Sequence, residues 1–225
     1  MILDYIVIGA GPTGLLVHKE LSKKENGMVL ELGKFVKTKT EDVYSKYQIK
    51  NSYRFSGLNV LFGKIPILLS EGSCVGGGSS VNSSIHHRTP PEIWSQWRDF
   101  YNLRGFDNEH ISELYEEIED LFDLSTSSCD LPPFYDFTSK KFKVERLPRW
   151  GKETNKGFVR TTALDAVKKK FSNIEDTIFS NYEVKKISHT KNGLYEIKGL
   201  INKKTEPRGF YFLCKKIFLC AGAGI

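Results

Sequence analysis

Leu3-Asp4-Tyr5-Ile6-Val7-Ile8-Gly9-Ala10-Gly11-Pro12-Thr13-Gly14 is the stretch on which the reading of the whole chain turns. Leu3 to Ile8 is a short apolar run of the kind that forms a buried strand. Glycines follow at the spacing G-x-G-x-x-G. Leu15, Leu16 and Leu21 recur at helical spacing within residues 13–25, and Met28-Val29-Leu30-Glu31-Leu32 reads as a second strand. Strand, glycine turn, helix and strand in this order predict a βαβ unit with a parallel sheet. Each glycine has a physical task there. Gly9 permits the tight turn, Gly11 lets a dinucleotide pyrophosphate approach the backbone, and Gly14 lets the helix lie close on the strand. Pro12 and Thr13 open the helix, whose free N–H groups and positive dipole end face the phosphates. Glu31, 17 residues beyond Gly14, can accept hydrogen bonds from both ribose hydroxyls and would repel a 2′-phosphate. His18 stands where such helices usually carry a small residue against the sheet, and it is read as structural.

The composition bounds the possibilities around this unit. The chain has 225 residues and a mass of 25.7 kDa, with 40% hydrophobic and 27% charged residues. That is an ordinary globular composition, with enough chain for a sizeable core. The net charge is +6, but the longest basic runs are Lys168 to Lys170 and Lys203 to Lys204, so a nucleic-acid partner is not expected. No stretch has the uninterrupted apolar length of a membrane-spanning helix. The apolar start lacks a basic leader and a cleavage site. Cys74, Cys129, Cys214 and Cys220 show neither a C-x-x-C nor a metal spacing. No metal site is expected, and a reducing, cytoplasmic setting fits best.

Further along, residues 33–70 show no clear period and read as irregular structure with short strands. Ile93, Trp94, Trp97, Phe100 and Tyr101, after Pro91, recur at helical steps. So do Ile111, Leu114, Tyr115, Ile118, Leu121 and Phe122, with Asp107 as the cap. These two stripes predict a pair of helices packed through their aromatic faces. Residues 124–160 carry Pro132, Pro133 and Pro148 and read as loop, with a strand at 141–146. A helix is expected from Thr161 to Phe171. Short strands are expected at 174–179, 182–188, 194–200, 209–214 and 216–220.

A second glycine loop, Gly72-Ser-Cys-Val-Gly-Gly-Gly-Ser-Ser-Val-Asn82, precedes the helical region. Glycines followed by small hydroxyl residues allow close backbone approach to a large planar ligand. Composition alone also allows a flexible linker. At Val75-Gly76-Gly77-Gly78-Ser79-Ser80-Val81-Asn82, however, the sequence resembles the signature of the glucose–methanol–choline (GMC) oxidoreductases, FAD-dependent enzymes that oxidise alcohols. Arg88-Thr89-Pro90-Pro91 and the helix with Trp94 and Trp97 resemble the following stretch in the branch with long-chain alcohol and cholesterol oxidases. Ser73 and His86 depart from the family's usual residues. Residues 1–32 are similar to the family's FAD-binding βαβ unit, and residues 216–224 to its later strand and turn.

The resemblance implies an α/β architecture of Rossmann type, an FAD/NAD(P)-binding fold with a parallel sheet, added β-strands and a helical insertion. The discontinuous core would comprise residues 1–90 and 155–225, and the mostly helical insertion residues 91–154. FAD is the implied cofactor. Gly9, Gly11 and Gly14 would hold the pyrophosphate and Glu31 the ribose. Val184 would pair with adenine through its backbone, and Gly76, Gly77, Ser79 and Asn82 would line the flavin. Ala221 and Gly222 would belong to the turn that returns to the ADP half. The implied reaction moves hydride from the carbinol carbon of a small-molecule alcohol to flavin N5, while a histidine from the family's C-terminal half takes the hydroxyl proton.

None of His18, His86, His87, His110 and His189 occupies that position, and the substrate part is largely absent. The expectation is therefore an N-terminal, truncated portion with no identifiable catalytic base. Two other readings stay open: a non-catalytic remnant that binds FAD or ADP, and an NAD-dependent dehydrogenase of another class. The second glycine loop argues against the latter.

Overall fold

In the computed structural model, which describes residues 2–36, 45–105, 107–125, 147–155, 157–202 and 206–222, the N-terminal apolar run forms strand β1 (Ile2–Ile8). Helix α1 (Pro12–Leu21) and strand β2 (Gly27–Glu31) complete the βαβ unit, and β1 and β2 run parallel. Two compact units are distinguished, residues 1–82 with 162–225, and residues 83–161.

The first unit contains a six-stranded sheet in the order β8-β2-β1-β11-β10-β9. Its members after β2 are β8 (Ile178–Ser180), β9 (Tyr182–His189), β10 (Tyr195–Ile201) and β11 (Arg208–Leu219). β8, β2, β1 and the second part of β11 are parallel. The first part of β11 pairs antiparallel with β10, and β10 with β9. β11 thus belongs to both halves. The sequence suggests two strands here, because Lys215-Lys216 interrupts the apolar pattern. The strand continues because each ammonium reaches a surface carboxylate, Lys215 at Asp4 and Lys216 at Glu25, both at 2.7 Å.

β1 is buried on both sides, as its continuous apolar run requires. Tyr5 points toward α1, where its hydroxyl meets His18. Ile6 and Ile8 point the other way, into a core with Leu3, Leu30, Ile197 and Cys214. Phe179, Tyr182, Val184, Phe210 and Phe212 pack around that core. The antiparallel strands therefore cover the face of the parallel sheet opposite α1. Burying each fully enclosed Ile, Val or Leu contributes about 1.5–3 kcal/mol.

Helix α5 (Ala163–Lys168) packs beside α1 and is shorter than the expected 161–171, because Thr162 is its cap rather than its second residue. Thr162 and Asp165 exchange side chain-to-backbone hydrogen bonds in a capping box. The expected strand at 174–179 begins instead as a tight 3₁₀ turn over Ile174–Thr177. Within residues 33–70, read as irregular structure with short strands, the short strands are β3 (Val60–Leu61) and β4 (Ile67–Leu68), paired as a hairpin, while helix α2 (Lys46–Ser52), capped by Ser45, is additional.

The second unit holds the two expected helices, α3 (Pro91–Tyr101) and α4 (Asn108–Leu121). Asp107 caps α4 by accepting from the His110 N–H at 2.8 Å. A three-stranded antiparallel sheet of β5 (Leu124–Ser125), β6 (Arg149–Thr154) and β7 (Gly157–Arg160) lies where the sequence reads as loop. β6 and β7 are rich in charge, with Arg149, Lys152, Glu153 and Arg160, which hides their alternation. The paired aromatic stripes are realised only in part. Ile111, Leu121 and Phe122 are buried, but no residue of α3 is, and Phe100 is 81% exposed. The expected strand at 141–146 lies outside the described residues.

Candidate functional site

The site begins at the C-terminal end of β1. Gly9 has φ +101°, and its N–H donates to the Leu30 carbonyl at 2.8 Å. A Cβ on Gly9 would lie 2.4 Å from the Cys220 carbonyl oxygen and 2.8 Å from the Cα of Ala221. A Cβ on Gly14 would lie 2.0 Å from the Gly9 carbonyl oxygen. These two glycines are required by the protein's own packing. Gly11 is different: a Cβ there would meet no atom of the chain within 4 Å. Gly11 is also the N-cap of α1. No side chain caps that helix, and Pro12 occupies its first turn. Open space therefore adjoins uncapped backbone at the positive end of a helix dipole, with Thr13 exposed beside it.

Glu31 closes one side. Its carboxylate accepts from the Ala10 N–H and from the Gly33 N–H, both at 2.7 Å, and only 8% of the residue is exposed. Burial pushes its carboxyl above the ordinary range, and the two backbone hydrogen bonds pull it back. Each oxygen retains a second lone pair. Glu31 thus ties the glycine turn to the end of β2 and keeps acceptor capacity for a hydroxyl. Sequence reasoning missed the Ala10 and Gly33 contacts. Gly33, two residues after the acid, was the available signal, since a Cβ there would lie 2.1 Å from the Ser73 carbonyl.

The second glycine loop docks onto the first. The Gly76 N–H donates to the Ala10 carbonyl at 2.8 Å, and the Val75 N–H to Lys34 at 2.9 Å. Gly76 and Gly77 have φ of +99° and +53°. A Cβ on Gly77 would lie 2.7 Å from the Gly11 Cα, so the two loops approach with no side chain between them. Ser79 is placed here, but its hydroxyl is engaged internally. It donates to the Gly76 carbonyl at 2.6 Å and accepts from the Ala163 N–H at 2.9 Å, anchoring the start of α5. The Asn82 N–H bonds the Gly78 carbonyl at 2.9 Å, and the Tyr53 hydroxyl donates to the Val81 carbonyl at 3.2 Å.

The structure therefore gathers Gly9, Gly11, Pro12, Gly14, Glu31, Gly76, Gly77 and Ser79 at one end of the parallel strands. Ala221 joins them through Gly9, and Gly222 follows with φ +94°. Val184 lies in edge strand β9, opposite Gly199 at a register shift, and packs on the core that includes Leu30. Among the described residues the outer side of that strand carries no strand partner. The residues fit a dinucleotide: an open cradle at Gly11, uncapped helix N–H groups and a carboxylate beside them.

In the second unit, Glu119 engages both Arg88 and His86. It accepts from Arg88 through Nε and Nη2, both at 2.6 Å, and lies 2.8 Å from His86 Nε2. The Arg88 hydrogen bonds hold its carboxyl below the ordinary range. Among the described residues no helix is long and apolar enough to cross a membrane, and no three His, Cys, Asp or Glu side chains converge as a metal site.

Comparison with known proteins points the same way. The sequence profile described as "GMC oxidoreductase" matches residues 3–192. An uncharacterised GMC-type oxidoreductase of Sinorhizobium fredii is 31% identical over 117 residues, covering 52% of this chain and 23% of the relative. A long-chain-alcohol oxidase of Arabidopsis thaliana is 26% identical over 186 residues, covering 73% of this chain and 24% of the relative. The chain thus spans about a quarter of these curated relatives. The crystal structure of pyridoxine 4-oxidase from Mesorbium loti shares the fold, with a TM-score of 0.68 at 15% identity. The match covers 98% of this chain and 50% of that one.

Proposed function

Because the chain belongs to the GMC oxidoreductase family, we propose that it forms the FAD-binding portion of an oxidoreductase acting on the CH–OH group of a small-molecule alcohol. The observation that carries this reading is the meeting of the two glycine loops. Gly77 abuts Gly11, and the space at Gly11 is open above an uncapped helix N-terminus. In this reading Gly9, Gly11 and Gly14, with Pro12 and Thr13, form the pyrophosphate cradle, and Glu31 accepts from the ribose. The unpaired outer side of β9 at Val184 is suited to the adenine edge. Gly76, Gly77 and Asn82 line the flavin, with Ser79 holding that loop in place, and Ala221 and Gly222 close the ADP side.

Bound FAD supplies the hydride acceptor at flavin N5. This chain's own residues bind and orient it, and exclude water through the tight loop contact. The hydroxyl proton has no assigned acceptor in this chain. A reducing, cytoplasmic setting is part of the same proposal, supported by Cys74, Cys214 and Cys220, which are free thiols.

A second reading, an FAD- or ADP-binding chain without turnover, is favoured by one observation. His18 and His86 are both buried and engaged by other side chains, which makes them poor bases for a substrate. The test is the absorbance spectrum and FAD titration of the purified chain with Gly11→Val as control. Expected are a bound flavin and an affinity loss of at least about tenfold in the variant, with the melting temperature held within about 2 °C. Unchanged FAD affinity in Gly11→Val refutes the cradle. Bound flavin that no alcohol bleaches selects the second reading.

A further inference from the structure

Helix α1 carries the open cradle at one end and rests on β1 along one face. Residues four apart share a helix face, so Gly14 and His18 both face the strand. At Gly14 the contact is bare backbone against the Gly9 carbonyl. One turn on, the same face carries a bulky polar ring. His18 is fully buried and reaches two separate elements. The Tyr5 hydroxyl of β1 lies 2.8 Å from Nδ1, and Thr177 Oγ1, in the turn before β8, lies 2.7 Å from Nε2. The ring of Phe171 flanks it, with the two centroids 6.3 Å apart.

The surroundings are shaped for that ring. Gly27 of β2 stands opposite Tyr5, and a Cβ there would lie 2.4 Å from the Tyr5 ring. The Tyr5 ring therefore lies against bare backbone, with its hydroxyl under α1. On the other side the Thr177 hydroxyl gives its own proton to the Ile174 carbonyl at 2.7 Å, which leaves it an acceptor for Nε2–H. Both ring nitrogens are satisfied in this one place. An apolar side chain tolerates a slide along the strand. A buried imidazole does not, because a slide leaves polar groups buried without partners.

We propose that His18 is a positioning residue for the cofactor: the chain Tyr5–His18–Thr177 sets where α1 sits on β1, and so where the free N–H groups of its first turn meet the FAD pyrophosphate. The inference rests on the FAD reading above. His18 is six residues beyond Pro12, about 9 Å along the axis, and a hydrogen-bonded helix carries a displacement over that length as a rod. Thr177 has no part in the cradle itself. Ser180, at the far end of β8, stands beside Glu31, whereas Thr177 precedes that strand at the opposite end.

FAD titration of the full chain tests this with variants placed away from the cradle. Thr177→Val keeps the shape and removes the acceptor, and should weaken FAD binding roughly three- to tenfold. Thr177→Ser restores the hydroxyl and should bind FAD as the wild type does. Ile197→Val trims the core on the opposite face of the sheet, and should lower the melting temperature while leaving FAD affinity unchanged. In a His18→Leu background Thr177→Val should weaken binding no further, because the chain is already broken. Should Thr177→Val misfold, Tyr5→Phe reads the other end of the chain with the same expected loss. Wild-type affinity in Thr177→Val, an equal loss in Ile197→Val, or a full additional loss in the His18→Leu background overturns the inference and leaves the FAD reading standing. No flavin uptake by the wild type overturns both.

Discussion

His18 should make the stability of this chain acid-sensitive, by an amount that can be worked from its surroundings. The ring is fully buried between β1, α1 and the turn before β8. The Thr177 hydroxyl gives its proton to the Ile174 carbonyl at 2.7 Å, so it must accept from His18 Nε2–H, also at 2.7 Å. Nδ1 is then the acceptor for the Tyr5 hydroxyl at 2.8 Å. This directed chain holds the ring neutral, and protonation would turn Nδ1 into a donor against Tyr5. Burial lowers the His18 pKa from 6.5 to about 4, while burial first, with Glu25 adding to it, raises Tyr5 to about 12 and keeps it a donor. The folded state therefore binds the proton less well than the unfolded chain. The contribution is complete above about pH 6.5 and is lost as pH falls toward about 4.

Integrated to pH 4.5, that loss is roughly 2–3 kcal/mol, a large share of a typical domain's stability. Urea unfolding at pH 7.5 and pH 4.5 measures it, with His18→Gln as the comparison. Carboxylates that titrate in this range act on both proteins alike. The wild type should lose about 2–3 kcal/mol more than the variant between the two pH values. Equal losses would refute the assignment of a buried neutral imidazole.

Gly14→Ala should destabilise the first unit by about 1–3 kcal/mol, since its Cβ would lie 2.0 Å from the Gly9 carbonyl. A melting temperature equal to that of the wild type would show that α1 can withdraw from the strand. Ser79→Ala should cost about 1 kcal/mol in denaturant by leaving the Ala163 N–H without its acceptor, and should weaken FAD binding in a titration by freeing the loop at Gly76. Glu119→Gln weakens the bonds to Arg88 and His86. With Arg88 partly exposed, a loss of about 1 kcal/mol is expected, seen as faster proteolysis within residues 83–161 rather than as weaker FAD binding.

Much of the candidate site was legible along the chain because its signals are local. The spacing of Gly9, Gly11 and Gly14 between an apolar strand and a helix, and Glu31 at the end of the next strand, are statements about neighbours in sequence. The same holds for β9 and β10, whose turn at Lys191-Asn192-Gly193 and alternating residues lie within one window. The three-stranded sheet of the second unit was not legible, because charge at Arg149, Lys152, Glu153 and Arg160 masks its alternation. The exposed face of α3 was misread for a related reason: an aromatic stripe states that a face is apolar, not that anything covers it.

What the sequence determined by itself is the βαβ start, the two glycine loops and the family to which they belong, since these rest on short-range spacing and backbone freedom. Tertiary structure alone decided what each small residue is for. Gly14 and Gly9 answer to contacts with each other and with Cys220, Gly11 to open space, and Ser79 to a helix 84 residues away. It likewise turned His18, awkward in the sequence, into the centre of a buried hydrogen-bond chain from Tyr5 to Thr177. Those assignments depend on atoms brought within a few ångströms from distant parts of the chain, and no window of sequence contains both partners.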